Sequence, residues 1–431
     1  MNKPDHRLGA IAPQSDQRLA ECLGETPGHA GTSCCAHLTE SEWGGVAISA
    51  AKHGLRPLLY ERLAAATLDV EVPEKILESL RESFLINSLQ NSLLYQDLRG
   101  VLGAFRQKGI AVIVLKGAHL AELVYQTIAS RQMADIDILV EPSDLTEAAA
   151  ALLENGYSSA ILARDAEAWR LRHPNSHHLP AFAKPLHPRI EVHWTISAPS
   201  NPEAALNIWE ESRSVCIAGV EARVLSPEDL LIHLCLHARL HRFGQGLRPV
   251  CDMSAAIRRY QEELDWNKVL TRTKTWHAEK CVHLGLWLGK KLMRAPVPDS
   301  ILTALWPNGL EAPWAELAVE IVFAGTGVRP ETEYALQLLD PRLRWGGAIS
   351  LSGKLGLLRR KLFPDRDHMA EYMAQQHSHP LPPLRSYTCY LIRVLDLLGA
   401  GVRLLNQAAR GRSSDTARRL RWNHWLDGVT S

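Results

Sequence analysis

The segment Asp135-Ile-Asp-Ile-Leu-Val140 constrains the fold of this chain more than any other, because acidic and apolar residues alternate along it. Alternation with a period of two is typical of a β-strand that buries one face. Side chains two residues apart on a strand point the same way, so the carboxylates of Asp135 and Asp137 lie about 6–7 Å apart along the backbone. Two carboxylates this close repel each other unless a cation lies between them or one of them binds a proton.

The carboxylate pair indicates a site for a hard divalent cation. Mg²⁺ prefers oxygen ligands and is normally held by one or two carboxylates together with substrate phosphates. Asp135 and Asp137 therefore favour metal-dependent phosphate chemistry. The alternative is a solvated strand end, where the Asp-x-Asp pattern also occurs without any ligand.

Two neighbouring segments extend this pattern. Residues 111–117 form an apolar run that ends in Lys116-Gly117, which is consistent with a buried strand that stops at a glycine turn. Residues 118–126 are predicted to form a helix whose N-terminal amides face that turn. A lysine at the end of a buried strand is costly without a partner, which favours a functional role for Lys116.

A third alternating segment, residues 189–196, places Glu191 and His193 on one face of a predicted strand. We expect this strand to bring a third carboxylate beside the first two. The predicted order in the core is therefore strand, Lys-Gly turn, helix, Asp-x-Asp strand and, later, a strand with a glutamate.

Length and composition limit the class of protein. A chain of 431 residues is long enough for two or three domains. The formal net charge of +1 argues against a general nucleic-acid surface, which normally requires a strongly basic domain. The first residues are not followed by the apolar core of a signal peptide, and no uncharged run approaches the length of a membrane span. We therefore expect a cytoplasmic protein without a transmembrane segment.

The chain is predicted to divide into four segments. Residues 1–37 are rich in Gly, Pro, Ser and His and are expected to be flexible. Residues 38–107 have a helical pattern, and residues 108–225 hold the three predicted strands. Residues 226–431 are again mostly helical, and Ser226, followed by proline and two acids, is a plausible helix N-cap.

A series of short motifs, each weak alone, follows one another in a fixed order along the chain. In the core these motifs are Leu115-Lys-Gly117, Arg131, Asp135-Ile-Asp137 and Glu191-Val-His-Trp194. Further motifs lie at residues 225–231, 235–238, 247–252 and 265–266. Together they resemble the bacterial "uncharacterised nucleotidyltransferase" family of the DNA-polymerase-beta-like nucleotidyltransferase superfamily.

This resemblance implies an α+β fold, with a small mixed-sheet nucleotidyltransferase core flanked by N-terminal and C-terminal helical regions. It also implies transfer of a nucleoside monophosphate from an NTP donor to an acceptor. Two Mg²⁺ ions, or Mn²⁺ in their place, would be held by Asp135, Asp137 and Glu191, which would be the catalytic residues. The acceptor stays open among a small molecule, a sugar, a peptide and a protein.

The resemblance also suggests which residues contact the substrate. Gly117 corresponds to the turn glycine of the superfamily. Lys116 would neutralise the triphosphate as a point charge and Arg131 as a bidentate fork. A salt bridge that fixes the strand is an equal alternative for Arg131. His193 shares the face of Glu191 and is expected to line the site.

Three histidines recur at i, i+4 and i+8 on the helix predicted after Ser226, so they share one face: His233, His237 and His241. A zinc-protease helix is not supported, because Leu234 stands where that motif requires a glutamate. The simpler interpretation is a row of histidines beside the cleft. His237 lies in a family motif and is the one expected to contact the nucleotide or the acceptor.

The turn departs from the usual superfamily pattern. Ala118 stands where a serine is common, Ala134 replaces a glycine, and the interval from Gly117 to Asp135 is longer than usual. These departures favour a second hypothesis, a non-catalytic binding or assembly protein of a biosynthetic cluster that keeps the fold. The three acids favour catalysis, because unpaired buried charge is expensive. Carboxylates that do not converge, or Lys116 in the place of a metal, would defeat the catalytic hypothesis.

Overall fold

The computed structural model describes most of the first 325 residues and a few positions after them. The described ranges are 14–24, 37–65, 71–125, 127–174, 176–197, 202–306 and 309–325, with residues 369, 390, 394–395, 421–423 and 425–426. The chain divides into two compact units, residues 1–325 and 326–431. All elements named below belong to the first unit. Within the described residues, no helix has the length and apolar character that a membrane crossing requires.

Four helices precede the sheet. They are α1 (Gln14–Gly24), α2 (Glu40–Lys52), α3 (Arg56–Ala65) and α4 (Glu74–Gln107). A capping box starts α2, since the Thr39 side chain accepts a hydrogen bond from the amide of Glu42 while the Glu42 carboxylate bonds back to Thr39. The end of α4 is followed by Gly109, whose φ of 71° allows the chain to reverse toward the sheet.

Helix α1 corrects the expectation that residues 1–37 are flexible throughout. Leu19 and Leu23, one helical turn apart, are buried, and α1 packs against α2 and against a later helix. Asp16 is also buried and bonds to Ser49 and His53 of the α2 region. Overall composition does not reveal these spaced leucines, and the rest of this segment up to residue 36 lies outside the described residues.

The sheet has five strands of mixed direction in the order β3-β2-β1-β5-β4. The strands are β1 (Ile113–Val114), β2 (Asp135–Leu139), β3 (Arg189–His193), β4 (Arg213–Ile217) and β5 (Val220–Val224). Strand β1 pairs antiparallel with β2 and parallel with β5, β2 pairs parallel with β3, and β4 and β5 form an antiparallel hairpin. The predicted α+β fold with a small mixed sheet is therefore confirmed.

One face of the sheet builds the core. Ile136 and Ile138 of β2 and Ile190 and Val192 of β3 are fully buried. They belong to one apolar cluster with residues of α4 and of two helices between β2 and β3, α6 (Leu145–Glu154) and α7 (Ala166–Arg172). Since strand side chains alternate, the acidic residues of β2 and β3 lie on the opposite face.

The connection between β1 and β2 begins as helix α5 (Lys116–His119) and continues as a π-helical segment, Leu120–Val124. The predicted helix after the Lys-Gly turn is therefore present, although its hydrogen-bond pattern widens after one turn. Such π-helical segments are rare and occur often at functional sites. The segment packs against a helix of the C-terminal region.

The C-terminal part of the first unit is helical. Its helices are α8 (Pro202–Glu211), α9 (Pro227–Leu240), α10 (Arg248–Arg259), α11 (Trp266–Thr275), α12 (Glu279–Met293), α13 (Asp299–Leu305) and α14 (Ala312–Ala324). The predicted N-cap is confirmed, because the Ser226 hydroxyl accepts a hydrogen bond of 3.2 Å from the amide of Asp229. The predicted division after residues 107 and 225 lies within the first compact unit and stays a prediction.

Candidate active site

The parallel register of β2 and β3 builds the candidate site. Asp137 lies directly opposite Glu191, and Leu139 lies opposite His193. Because residues two apart share a face, Asp135, Asp137, Glu191 and His193 all project from the side of the sheet that faces away from the core. Asp137 is buried, Glu191 is half-buried and Asp135 is exposed, so the group runs from the interior toward solvent.

Lys116 enters this group from the end of β1. The Leu115 amide donates a 3.0 Å hydrogen bond to the Asp137 carbonyl, and this bond fixes the backbone just before the lysine. Lys116 Nζ lies 2.7 Å from Asp137 Oδ1, and the lysine is only 8% exposed. Its ammonium group therefore stands beside Asp137 where a cation would be expected, which is the arrangement that favours a non-catalytic protein.

His193 completes the contacts around Asp137. Its Nε2 lies 2.8 Å from the same Asp137 Oδ1 and 3.6 Å from Glu191 Oε2. The preceding loop brings His178 Nε2 to 4.0 Å from Glu191 Oε2. Among the residues that the structure describes, the buried His193 Nδ1 has no hydrogen-bond partner.

This unpartnered nitrogen bears on the ligand set of a divalent cation. Asp137, Glu191 and His193 each offer one ligand atom within 4.8 Å of the others, so the three can surround one ion. A metal-bound histidine normally donates its other ring N–H to a carboxylate or carbonyl, and His193 lacks such a partner within the described part of the chain. His193 therefore fits better as a donor that orients Asp137, and the two carboxylates fit a hard cation such as Mg²⁺.

Local charges separate the pKa values of the three carboxyl groups. Burial would raise the pKa of Asp137, but the Lys116 ammonium and His193 hold that pKa well below its usual range. Partial removal of water by the surrounding protein raises the pKa of Asp135, and the negative charges of Asp137 and Glu191 raise it further. Burial would raise the pKa of Glu191, but the hydrogen bond with His193 and the attraction of the His178 and His193 imidazoles together lower it. Asp135 is thus the carboxyl group that most readily relieves the mutual repulsion by binding a proton.

The backbone of Gly117 lies against the guanidinium of Arg131. A Cβ atom at position 117 would lie 2.9 Å from Arg131 Nη1, so the guanidinium leaves no room for a side chain there. Arg131 donates from Nε and Nη2 to the two oxygens of Asp252 at 3.0 and 2.9 Å, and the Tyr125 hydroxyl donates to the same carboxylate at 2.8 Å. Arg131 thus forms a salt bridge, as the structural interpretation of this residue predicts. Its contact with a triphosphate stays a prediction.

His233 and His237 of α9, and His241 just after its end, lie within the electrostatic reach of this site. His233 is buried and His237 is half-buried, with its ring 4.8 Å from that of His241. Burial and the charge of Lys116 lower the pKa of His233 to about 3 and that of His241 to about 4, and they hold the pKa of His237 well below its usual range. These imidazoles are therefore neutral near pH 7, and contact between His237 and substrate stays a prediction.

Sequence reasoning missed the role of Asp252. This residue ends the motif at 247–252, so it was visible as part of a pattern, but nothing local identified it as the partner of Arg131, which lies 121 positions earlier. Tyr125 was missed for the same reason. Both residues anchor the segment between Gly117 and β2 to helix α10, and so they hold the turn of the candidate site in place.

A model of the family described as uncharacterised nucleotidyltransferase matches residues 39–294, which is more than half of the chain and includes every candidate site residue. The chain belongs to this family. The suspected family is thereby confirmed, and membership of the uncharacterised nucleotidyltransferases gives the chain the general activity of nucleotidyl transfer. No curated protein matches the chain.

Part of this chain is similar to a solution structure of the antibiotic-resistance factor ANT(2'')-Ia. The two chains are 14% identical, with a TM-score of 0.30, and the match covers 43% of this chain and 92% of that chain. A likeness this low carries no argument about the site, which rests on the family match and on the geometry above.

Proposed function

We propose that this protein transfers a nucleoside monophosphate from an NTP to an acceptor by means of a divalent-metal site formed by Asp135, Asp137 and Glu191. The observation that carries the proposal is the parallel register that sets Asp137 opposite Glu191 on the open face of the sheet. Mg²⁺ is the first candidate and Mn²⁺ the second, because the ligand atoms are carboxylate oxygens. Two ions are proposed, as the resemblance implies.

Each residue has a distinct role in this proposal. A divalent cation held by these residues would neutralise phosphate charge and activate the attacking group. Asp135, Asp137 and Glu191 would provide ligand atoms, and Glu191 would also accept the proton of the nucleophile. His193 orients Asp137 through the 2.8 Å contact. Lys116 binds a phosphate oxygen as a point charge.

The proposal also includes a class of acceptor and a cellular location. The acceptor is a small molecule, sugar, peptide or protein that presents a nucleophile to the open face of the sheet. A cytoplasmic location, where nucleoside triphosphates are supplied, is part of the proposal. With a net charge of +1, general binding of nucleic acid is not expected.

The contact between Lys116 and Asp137 is the observation that favours the non-catalytic alternative. An ammonium group that permanently fills the cation position would leave a protein that keeps the fold and binds partners without chemistry. Both Lys116 and His193 bond to Oδ1 of Asp137, however, so their contacts fall on one of the two carboxylate oxygens. Three acids on one face exceed the charge that one lysine neutralises, which favours an additional cation.

Calorimetry with ATP, GTP, CTP and UTP, each with and without Mg²⁺, tests the proposal. We expect Mg²⁺-dependent binding of at least one NTP, and loss of that dependence in Asp137→Asn. The matched control is Glu221→Gln, which removes an exposed carboxylate of the same sheet on β5. If the folded wild-type protein binds no NTP under either condition, or if Asp137→Asn binds as the wild type does, the catalytic proposal is wrong and the binding protein is favoured.

A further inference from the structure

Lys116 is unusually buried for a lysine whose only role would be to bind a substrate. Its side chain is 10% exposed and that of Asp137 is 5% exposed, so the ion pair is almost shielded from water. In such surroundings an ion pair is held strongly, because water does not screen the two charges. A triphosphate-binding lysine with no other task would be expected to extend toward solvent.

The backbone aims Lys116 at Asp137. Lys116 has a φ of 39°, a left-handed conformation that non-glycine residues adopt at a cost. On one side, Leu115 is tied to the backbone of Asp137. On the other, Gly117 lies under the guanidinium of Arg131, whose own position is fixed by Asp252. The strained conformation persists because both flanks are held, and its effect is to direct the ammonium onto the carboxylate.

Charge balance indicates what this contact does. Asp135, Asp137 and Glu191 share one face, and the charges of all three act on Lys116 and stabilise its ammonium form. Arg131 is paired with Asp252, and its charge reaches this face only at Asp135, so Lys116 is the cation in contact with Asp137. A divalent cation on the other oxygen of the Asp137 carboxylate would still lie close to the Lys116 ammonium on Oδ1, and the two positive charges would repel each other. The two cations therefore compete for Asp137.

We infer that Lys116 is an internal counter-ion that keeps the divalent metal off Asp137 until a triphosphate draws the ammonium away. The triphosphate offers Lys116 several negative oxygens in exchange for one, and the freed carboxylate then accepts the metal. Metal and nucleotide thereby bind cooperatively, and each raises the affinity of the other by the same factor. This inference rests on the metal site of the proposed function and adds its regulation.

Mn²⁺ binding in the absence of nucleotide tests the competition, and electron paramagnetic resonance reads it without any catalytic turnover. We expect Lys116→Met to bind Mn²⁺ at least about tenfold more tightly than the wild type, within the range usual for coupled sites. The gain should disappear in the double variant Lys116→Met/Asp137→Asn. Lys108→Met is the matched control, because it removes a lysine from a more exposed ion pair with Glu147 outside the site.

A second variant keeps the test decisive if Lys116→Met does not fold. Lys116→Gln retains a hydrogen-bond donor toward Asp137 without the charge, and it should show the same gain in Mn²⁺ affinity. Lys116→Arg retains the charge and should bind Mn²⁺ as weakly as the wild type. Circular dichroism establishes that each variant is folded before metal is added.

The possible outcomes separate this inference from the proposed function. Mn²⁺ binding by the wild type that neither Lys116→Met nor Lys116→Gln improves would overturn the inference and leave the metal site intact. Folded proteins that bind no Mn²⁺ at all would overturn both. Tighter Mn²⁺ binding by the neutral variants, with no NTP bound by the wild type in calorimetry, would establish the competition for Asp137 but overturn both its release by a triphosphate and the proposed function.

Discussion

Two buried ion pairs of this molecule look alike and differ in one respect. In the helical region, Arg272 of α11 donates from Nε and Nη2 to the two oxygens of Asp229 at 2.6 Å each. In the sheet, Lys116 makes one contact with Asp137 and shares the accepting oxygen with His193. The Arg272 pair uses both carboxylate oxygens, whereas the Lys116 pair concentrates its contacts on one of them.

The difference shows how structural and functional ion pairs can be told apart. A bidentate fork engages both oxygens of a carboxylate with a fixed, planar partner, so that pair exchanges its cation less readily. A point-charge pair with two further carboxylates nearby can exchange its cation for another. Burial alone does not distinguish the two cases, since Asp229 and Asp137 are both almost fully buried. What distinguishes them is the number of contacts per oxygen and the surplus of like charge.

The largest expected effect is on the helical pair. Arg272→Met should lower the free energy of unfolding by about 3–5 kcal/mol, because it leaves the Asp229 carboxylate buried without a counter-charge. Urea unfolding followed by circular dichroism measures the loss. Addition of Mn²⁺ should not restore the stability, since the carboxylate already lies in a site shaped for a guanidinium fork. Recovery with Mn²⁺ would remove the distinction between the two pairs.

A smaller effect is expected at the sheet. Lys116→Met should cost about 1–3 kcal/mol, because His193 still donates to the Asp137 oxygen. Urea unfolding with and without Mn²⁺ measures both the cost and its repair. We expect Mn²⁺ to raise the stability of Lys116→Met more than that of the wild type. An equal loss at Lys116 and Arg272, with no repair by metal at either, would contradict the comparison.

The same contrast separates what the sequence could predict from what it could not. Alternation along β2 and β3 is local, so the sequence alone correctly placed Asp135, Asp137 and Glu191 on one kind of face. Which carboxylate faces which depends on the strand register, and which cation stands beside Asp137 depends on a lysine 21 positions earlier. Neither the register nor this contact can be predicted from a local sequence pattern.

Helix α4 shows that local sequence also does not predict which residues are buried. Helix α4 carries leucines at helical spacing, and Leu98 and Leu102 are buried in the core. Leu85, Leu89 and Leu93 have the same spacing but are 55%, 65% and 56% exposed. Periodicity determines the shape of a segment, whereas the neighbours that cover its faces come from distant parts of the chain.

The smallest expected change in stability is at Glu191. This residue best separates an effect on stability from an effect on metal binding. Glu191→Gln removes one of three like charges from a half-buried position, so the free energy of unfolding should change by no more than about 0.5 kcal/mol. Metal-dependent NTP binding should nevertheless weaken at least about tenfold, because a ligand atom of the cation is lost. Urea unfolding and calorimetry on the same preparation measure both quantities. Glu221→Gln, the exposed control on β5, should change neither, and a Glu191→Gln protein that loses stability but keeps its affinity would make Glu191 a structural residue.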